Sequence, residues 1–282
     1  MQTFFLWNAL TIVPDRRQSI AVVGGGGKTS LIFRLCEEMV STGKKVIVTT
    51  TTHMAYEPER PFAEEGNAQQ IQQNIEEYGY TVAASLDQNK SKIGSLTEEA
   101  LVRLKGQADC ILIEADGAKR LPLKVPGEWE PVIPDFTDLV VGVIGMDAVG
   151  QMIRESCHRP ERVAAFLNKE QTDPVTEADV IRIAVSEKAL KKAVGQRPYK
   201  IFLNKTDLMG KYESAERIGK ELQKQGVHAA WGSRSGERIL QMKIALVMLA
   251  AGNSRRFGSN KLLYEIEGKA YVSANAGKTE ES

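Results

Sequence analysis

The sequence has little of what marks a disulfide-stabilised, zinc-binding or membrane-spanning chain. Its 282 residues include only three cysteines and three histidines. Cys36, Cys110 and Cys157 have no C-x-x-C spacing, which argues against a disulfide framework or a structural zinc site. No apolar run approaches the roughly 18 residues of a membrane helix, and the first residues lack the basic start of a signal peptide. We therefore expect a cytoplasmic protein without a membrane partner.

The chain also lacks an excess of charge of either sign. Lys and Arg total 37 and Asp and Glu total 36, so the formal net charge is +1. This balance gives no general attraction to nucleic acid, so we expect no nucleic-acid partner and only local anion sites. With 42% hydrophobic residues, the composition is typical of a folded globular protein.

One segment joins an apolar strand to a glycine-rich turn. The run IAVV at 20–23 is followed by GGGGKTS. Glycines let backbone N–H groups approach an anion, and a helix that starts directly after them adds its positive dipole end. This pattern predicts a phosphate-binding loop in which Lys28 reaches the β- and γ-phosphates and assists catalysis, Thr29 supplies a hydroxyl to Mg²⁺, and Ser30 contacts the α-phosphate. The predicted nucleotide-binding residues of this loop are Gly24, Gly25, Gly26, Gly27, Lys28, Thr29 and Ser30.

The loop departs from the usual G-x-x-x-x-G-K-[ST] spacing, because Val22 stands where the first glycine is expected. The alternative is a glycine-rich turn with a solvated lysine. The following segment favours the phosphate loop, since apolar residues recur at helical spacing from Leu31 until Gly43.

Short apolar runs alternate with longer helix-like stretches along the chain. This alternation predicts an α/β fold like that of P-loop NTPases, with a mostly parallel sheet and helices on both faces. Residues 57–79 are polar and predict a loop that leads into a solvated helix. The strand-like runs are 20–23, 46–50, 110–114, 139–145, 200–204 and 244–249, with weaker runs at 81–84 and 227–231.

Two carboxylates follow the run at 110–114. Glu114 and Asp116 would lie at the carboxyl edge of the sheet, where a P-loop enzyme holds Mg²⁺ and orients the attacking group. Both are therefore candidate metal ligands and catalytic residues, and the sequence does not distinguish between them. The alternative is an acidic turn at the protein surface.

A basic cluster comes next, consisting of Lys119, Arg120 and Lys124. It would bind an anionic substrate or stabilise charge in phosphoryl transfer, with Lys119 as a catalytic candidate. A solvated charged loop is the alternative.

Another polar run, Thr49–Thr52 followed by His53, places hydroxyls at the end of a predicted strand. These hydroxyls would contact Mg²⁺ or a γ-phosphate. The alternative is that the threonines are there only for their β-propensity.

The tetrapeptide N-K-T-D follows the run at 200–204. In this pattern the carboxylate of Asp207 would accept hydrogen bonds from guanine, the amide of Asn204 would meet its O6 or N7, and the stem of Lys205 would pack on the base. The motif favours GTP over ATP as the bound nucleotide. The alternative is that Asn204 and Asp207 cap a turn and the following helix.

A turn-like stretch at 232–238 precedes a second glycine motif. We predict a nucleotide-binding domain over 1–240 and an incomplete nucleotidyltransferase-like segment over 241–282. In the latter, LAAG at 249–252 with Arg256 and Lys261 forms a second phosphate-binding pattern. The segment is too short for a whole transferase domain, so we expect no nucleotide transfer from it.

The motifs GGGGKTS, TTTTHM, IEADGAKRLPLKVPGEWEPVIP and LNKTD, in this order, resemble the YqeC family of accessory proteins of selenium-dependent molybdenum hydroxylases. Residues 243–272 resemble the opening of molybdenum cofactor cytidylyltransferases. The resemblance implies a role in cofactor maturation, with a molybdenum hydroxylase or a cofactor intermediate as partner.

The sequence therefore predicts a Mg²⁺-dependent nucleotide-binding protein that hydrolyses GTP or ATP. One alternative is a kinase that phosphorylates a small anionic metabolite. The other is a nucleotide-gated cofactor carrier with little hydrolysis.

Overall fold

The computed structural model describes residues 5–13, 15–233, 240–241, 265–266 and 269–270. The chain divides into two compact units, residues 1–242 and residues 243–282. The described residues of the second unit form an antiparallel pair of two-residue strands. The strand expected at 244–249 and the second phosphate-binding pattern lie outside the described residues.

Strands and helices alternate along most of the first unit. The strands are β1 Gln18–Gly24, β2 Val46–Thr50, β3 His53–Ala55, β4 Phe62–Glu64, β5 Tyr80–Leu86, β6 Lys92–Gly94, β7 Cys110–Glu114, β8 Leu123–Lys124, β9 Leu139–Gly145, β10 Cys157–His158, β11 Tyr199–Asn204, β12 His228–Trp231, β13 Leu240–Gln241, β14 Glu265–Ile266 and β15 Lys269–Ala270. The α-helices are α1 Leu6–Ala9, α2 Lys28–Ser41, α3 Ala68–Tyr78, α4 Glu98–Arg103, α5 Ile153–Ser156, α6 Pro160–Leu167, α7 Glu177–Val185 and α8 Lys211–Lys224, and a 3₁₀ turn covers Met146–Ala148.

The first unit is built on an 11-stranded sheet in the order β13-β12-β11-β9-β1-β7-β2-β5-β6-β3, with β4 paired to β5. Strand β1 lies between β7 and β9 and runs parallel to both. Antiparallel pairs occur only toward the two ends of the sheet among the described strands. The predicted α/β fold with a mostly parallel sheet is confirmed.

Alternate residues of β1 pack on opposite faces of the sheet. Ile20 and Val22 belong to the core under α1 and α2, whereas Ala21 and Val23 belong to the core under α6, α7 and α8. Helices α3 and α4 cover the second face over β7, β2 and β5. Ile113 of β7 belongs to this part of the core and is the register partner of Ala21. Because both faces are covered, the central strands are continuous apolar runs, and each fully buried Val or Ile contributes about 1.5–3 kcal/mol.

The strands expected at 46–50, 110–114 and 139–145 have these same bounds in the structure. The stretch predicted as a loop that leads into a helix, residues 57–79, contains α3 but also a strand, β4, which pairs with β5. A strand of three residues is too short to show an alternating pattern. Within the described part of the chain, no helix has the length and apolar composition needed to cross a membrane.

Candidate phosphate-binding site

The glycine-rich segment is a tight turn between β1 and α2. Strand β1 ends at Gly24 and α2 begins at Lys28, so only three glycines connect them. Gly26 and Gly27 have φ angles of +77° and +121°, a region that side chains disfavour. A Cβ on Gly26 would lie 2.2 Å from the backbone N of Gly145. The turn therefore requires glycine for both its conformation and its packing.

The backbone amides of this turn divide into two groups. The amide of Gly25 donates to the carbonyl of Val143 at 2.9 Å, and the amide of Gly26 donates to the carbonyl of Leu121 at 2.9 Å. The amides of residues 27–30 have no acceptor within the described residues. Donors that are free to bind an anion are therefore those of the first turn of α2, rather than those of the first glycines.

No side chain among the described residues caps the N-terminus of α2, in contrast to α3, α4 and α7. In α7, for example, Thr176 and Asp179 form a reciprocal capping box. A helix start leaves its first N–H groups without intrahelical partners, and the helix dipole places partial positive charge there. The start of α2 is thus suited to an anion.

Val22 explains the departure from the usual spacing. It lies within β1, is fully buried and packs in the core beneath α2. The strand therefore continues through the position where the common motif has its first glycine, and the connecting turn is correspondingly short.

The ammonium of Lys28 lies at the centre of the site. Its Nζ donates to the carbonyl of Gly24 at 2.7 Å and lies 3.3 Å from Asp116 Oδ1 and 3.9 Å from Glu114 Oε1. The side chain is only 5% exposed. The structure thus brings together the lysine and both carboxylates that the sequence singled out.

Thr29 and Glu114 form a pair of oxygen donors beside the free amides. The hydroxyl of Thr29 donates to Glu114 Oε2 at 2.6 Å. Burial raises the pKa of Glu114 above its usual range, although the nearby ammonium of Lys28 and the Thr29 hydrogen bond oppose this rise. Hydroxyl and carboxylate oxygens are hard ligands suited to Mg²⁺, which also takes phosphate and water oxygens. A phosphate-bound Mg²⁺ needs few protein ligands, and the described residues contain no cluster of three or more His, Cys, Asp or Glu ligands.

Asp116 has different partners. Both of its carboxylate oxygens accept from the amide of Gly24, at 3.0 and 3.1 Å, and Oδ2 lies 3.2 Å from Lys124 Nζ. The side chain is fully buried. Its oxygens are therefore already engaged by the glycine turn and by two lysines.

The basic cluster expected at 119–124 is divided in the structure. Lys124 is fully buried and contacts Asp116 and Glu130, so the expectation that it joins Lys119 and Arg120 in binding an anion is wrong. Its ammonium is enclosed by these acidic partners rather than directed to solvent. Lys119 and Arg120 are exposed, and neither makes an ion pair within the described residues.

Glu130 connects Lys124 to Arg159. Its Oε2 accepts from Lys124 at 2.8 Å and from Arg159 Nη1 at 2.6 Å, and Oε1 accepts from Arg159 Nη2 at 3.1 Å. Burial alone would raise the pKa of Glu130, but the hydrogen bonds from Arg159 and Lys124 outweigh burial and lower it to about 2. A glutamate with a lowered pKa stabilises the folded state above its unfolded pKa, and this contribution is lost as the pH falls toward 2.

We expect Glu130→Gln to lower the free energy of unfolding at pH 7 by about 2–4 kcal/mol, because Arg159 loses its anionic partner and Lys124 keeps only Asp116. Urea titrations of both proteins at pH 7 and between pH 4.5 and 2.5 test this. The difference between them is expected to shrink toward the acid end of that range. A difference that stays constant over the whole range would contradict the assigned pKa.

The threonine run contributes hydroxyls to the protein itself. Thr50 Oγ1 donates to the carbonyl of Glu114 at 2.9 Å, and Thr51 Oγ1 donates to the carbonyl of Val132 at 2.7 Å. His53, which follows the run, is exposed. Thr50 therefore supports the end of β7 at Glu114 from the neighbouring strand β2.

The N-K-T-D motif adjoins the glycine turn. Asn204 Nδ2 donates to the carbonyl of Gly26 at 2.7 Å, and Lys205 Nζ lies 2.5 Å from Asp147 Oδ2. Asp207 is exposed. The alternative that this motif caps a helix is not observed, since α8 begins after Gly210 without a side-chain cap.

A small pocket lies between the start of α2 and the ends of β11 and β12. Ser30 of α2 and Asn204 of the N-K-T-D motif both line it. The other lining residues are Leu6, Leu31, Arg34, Phe202 and Ser233.

Comparisons with known proteins add a family and a relative. The sequence profile described as YqeC protein matches residues 20–161. The chain is 30% identical over 219 residues to the Escherichia coli (strain K12) protein described as "uncharacterized protein YqeC", a match that covers 75% of this chain and 85% of that protein. Among solved structures, the septum site-determining protein MinD from Pyrococcus horikoshii OT3, complexed with Mg-ADP, matches with a TM-score of 0.37 and 14% identity, over 71% of this chain and 76% of that chain.

Proposed function

This chain belongs to the YqeC family, and on that premise we propose that it is a Mg²⁺-dependent nucleoside triphosphatase that acts in the maturation of a selenium- or molybdenum-containing cofactor or hydroxylase. The maturation role is supported by the family resemblance. The nucleotide chemistry is supported by one observation above all: the amides of residues 27–30, which have no acceptor in the described part of the chain, lie beside Lys28, Thr29 and Glu114.

Each residue of the site has a role in this proposal. The amides of residues 27–30 bind the phosphates, and Lys28 exchanges the carbonyl of Gly24 for the β- and γ-phosphate oxygens. Thr29 and Glu114 hold Mg²⁺, which supplies positive charge at the phosphates when it is bound. Asp116 anchors the glycine turn through the amide of Gly24. The hydrophobic strands beneath fix these groups relative to one another, apart from the ammonium of Lys28, which changes its partner.

The nucleoside is placed beside the N-K-T-D motif, at the carboxyl end of β11. Asn204 joins this motif to the glycine turn through its hydrogen bond to Gly26, and the exposed carboxylate of Asp207 is available to a purine edge. Guanine presents two N–H donors to a carboxylate, whereas adenine presents an acceptor at N1. GTP is therefore the favoured nucleotide.

We expect Asp207→Asn to reduce the preference for GTP over ATP by about 10- to 100-fold, the range for losing a hydrogen bond to a charged group. Competition binding with both nucleotides measures this ratio. Asp135→Asn is the matched control, because Asp135 is exposed and precedes β9, at the opposite edge of the sheet. An unchanged ratio in the Asp207 variant would remove the assignment of guanine recognition.

A phosphotransferase is the second candidate, and a specific feature favours it. Lys119 and Arg120 are exposed, without ionic partners among the described residues, on the turn whose next residue, Leu121, accepts from the amide of Gly26. Both have left-handed backbone conformations, with φ of +46° and +63°. Two such cations so close to the phosphate loop would hold an anionic acceptor.

Product analysis separates the candidates. Release of inorganic phosphate from GTP without any added acceptor supports the triphosphatase. Phosphate release that requires a small anionic acceptor, with a phosphorylated product, supports the phosphotransferase. Nucleotide binding with no turnover in single-turnover experiments indicates a nucleotide-gated carrier instead.

A further inference from the structure

Lys124 is a fully buried cation that the proposed reaction does not use. It lies on β8, which pairs in parallel with β10. Its ammonium lies 2.5 Å from the carbonyl of Gly117, 2.8 Å from Glu130 Oε2 and 3.2 Å from Asp116 Oδ2. Three acceptors match the three donors of an ammonium group. Burying such a charge is costly unless it is fully paired, so this arrangement fixes the positions of its partners.

Asp116 links Lys124 to the phosphate site. Lys28 and Lys124 lie on either side of its carboxylate at 3.3 and 3.2 Å, and the same carboxylate accepts from the amide of Gly24. One buried anion thus anchors the glycine turn and is balanced by two cations. If either cation leaves, the other becomes the main counter-charge of Asp116.

Glu130 links Lys124 to residues 127–130, here called the Trp129 segment, of which Glu128 and Trp129 are exposed. Trp129, the residue before Glu130, is 84% exposed. The segment is held on one side by Arg159, through two hydrogen bonds to Glu130. On another side, Lys192 donates to the carbonyls of residues 127 and 128, both at 2.6 Å. Because Glu130 belongs to this segment and accepts a hydrogen bond from Lys124, a displacement of Lys124 would move Glu130 and with it the segment.

We propose that Lys124 is a positioning residue that keeps the glycine turn anchored when Lys28 moves to the phosphates, and that it couples nucleotide occupancy to the Trp129 segment. The proposal rests on the proposed nucleotide binding. As Lys28 leaves Asp116, the carboxylate keeps Lys124 as its cation and continues to hold the amide of Gly24. Lys124 is drawn toward Asp116, and Glu130 shifts with it.

Calorimetry with Mg-GTP on four full-length proteins tests the first part. Lys124→Met is expected to weaken binding at least 10-fold, because Asp116 is left without a cation once Lys28 turns away. In the Asp116→Asn background the same substitution is expected to change affinity less than twofold, since a neutral amide needs no counter-charge. Lys220→Met, on the exposed face of α8, is the matched control and is expected to bind like the wild type.

Fluorescence tests the second part. Mg-GTP is expected to change the emission of the wild type, and the change is expected to disappear in Trp129→Phe and to be reduced in Lys124→Met at saturating nucleotide. A purely structural role for Lys124 would leave the signal of the saturated protein intact.

The outcomes distinguish this inference from the proposal on which it rests. A wild type that binds no nucleotide overturns both. Wild-type affinity in a folded Lys124→Met protein, or a nucleotide signal that persists in Trp129→Phe, overturns this inference alone. If Lys124→Met does not fold, Asp116→Asn and its double variant with Lys124→Met decide, because neither leaves an unpaired buried carboxylate at position 116. A 10-fold difference between those two proteins contradicts the proposed coupling.

Discussion

Replacing Lys28 by Met is expected to weaken Mg-GTP binding at least 100-fold, about 3 kcal/mol or more, and to abolish measurable turnover. Methionine keeps the apolar stem in its buried position but removes the ammonium that contacts both Glu114 and Asp116. Two carboxylates would then face the incoming phosphates without this cation. The substitution therefore removes the attraction between Lys28 and the phosphates, and it also leaves the repulsion between the phosphates and the two carboxylates less compensated.

Calorimetry and phosphate-release assays on the wild type and Lys28→Met measure this effect. Lys44→Met is the matched control, because Lys44 follows the other end of α2 and pairs with Asp15 near the surface. The control is expected to bind and turn over nucleotide like the wild type. Wild-type turnover by Lys28→Met would show that the glycine turn is not the reaction site.

The second large effect concerns the metal. Glu114→Gln is expected to reduce the stimulation of turnover by Mg²⁺ at least 100-fold. Nucleotide binding measured in EDTA is expected to change little. The amide oxygen still accepts from Thr29, so the hydrogen bond at this point is preserved. What is lost is the negative charge that holds a divalent cation.

Asp116→Asn is the matched comparison for this experiment, because it makes the same kind of change two residues away. We expect it to weaken nucleotide binding with and without Mg²⁺, since Asp116 anchors the amide of Gly24. Turnover measured over a range of Mg²⁺ concentrations distinguishes the two roles. If Asp116→Asn loses the Mg²⁺ dependence and Glu114→Gln retains it, the metal ligand is Asp116.

Much of the fold follows from the sequence because the central strands are buried on both faces. The apolar runs of β2 and β7 end at polar residues and that of β9 ends at Gly145, so the bounds of these three strands agree with those expected. The positions of Lys28, Thr29 and Glu114 follow in the same way, since the carboxyl ends of neighbouring parallel strands meet at one edge. Strands β3, β4 and β6 were not expected, because three residues carry no recognisable period.

The sequence does not show which polar groups of the site are already occupied. The amides of Gly25 and Gly26 are taken by carbonyls of β9 and of the turn after β7, and these contacts depend on tertiary packing. The contacts of Arg159 with Glu130 and of Gly24 with Asp116 depend on packing for the same reason, since they join residues that are 29 and 92 positions apart. One signal was present: Lys124 stands between Leu123 and Val125, and a charge within an apolar stretch requires a buried partner.

Titration calorimetry of the full chain with Mg-GTP and Mg-ATP tests the central claim, that the start of α2 binds the phosphates of a nucleotide, most directly. We predict one site per chain with a Kd of about 10 μM or lower for GTP and weaker binding of ATP. The absence of binding heat for both nucleotides at millimolar concentration would contradict the account.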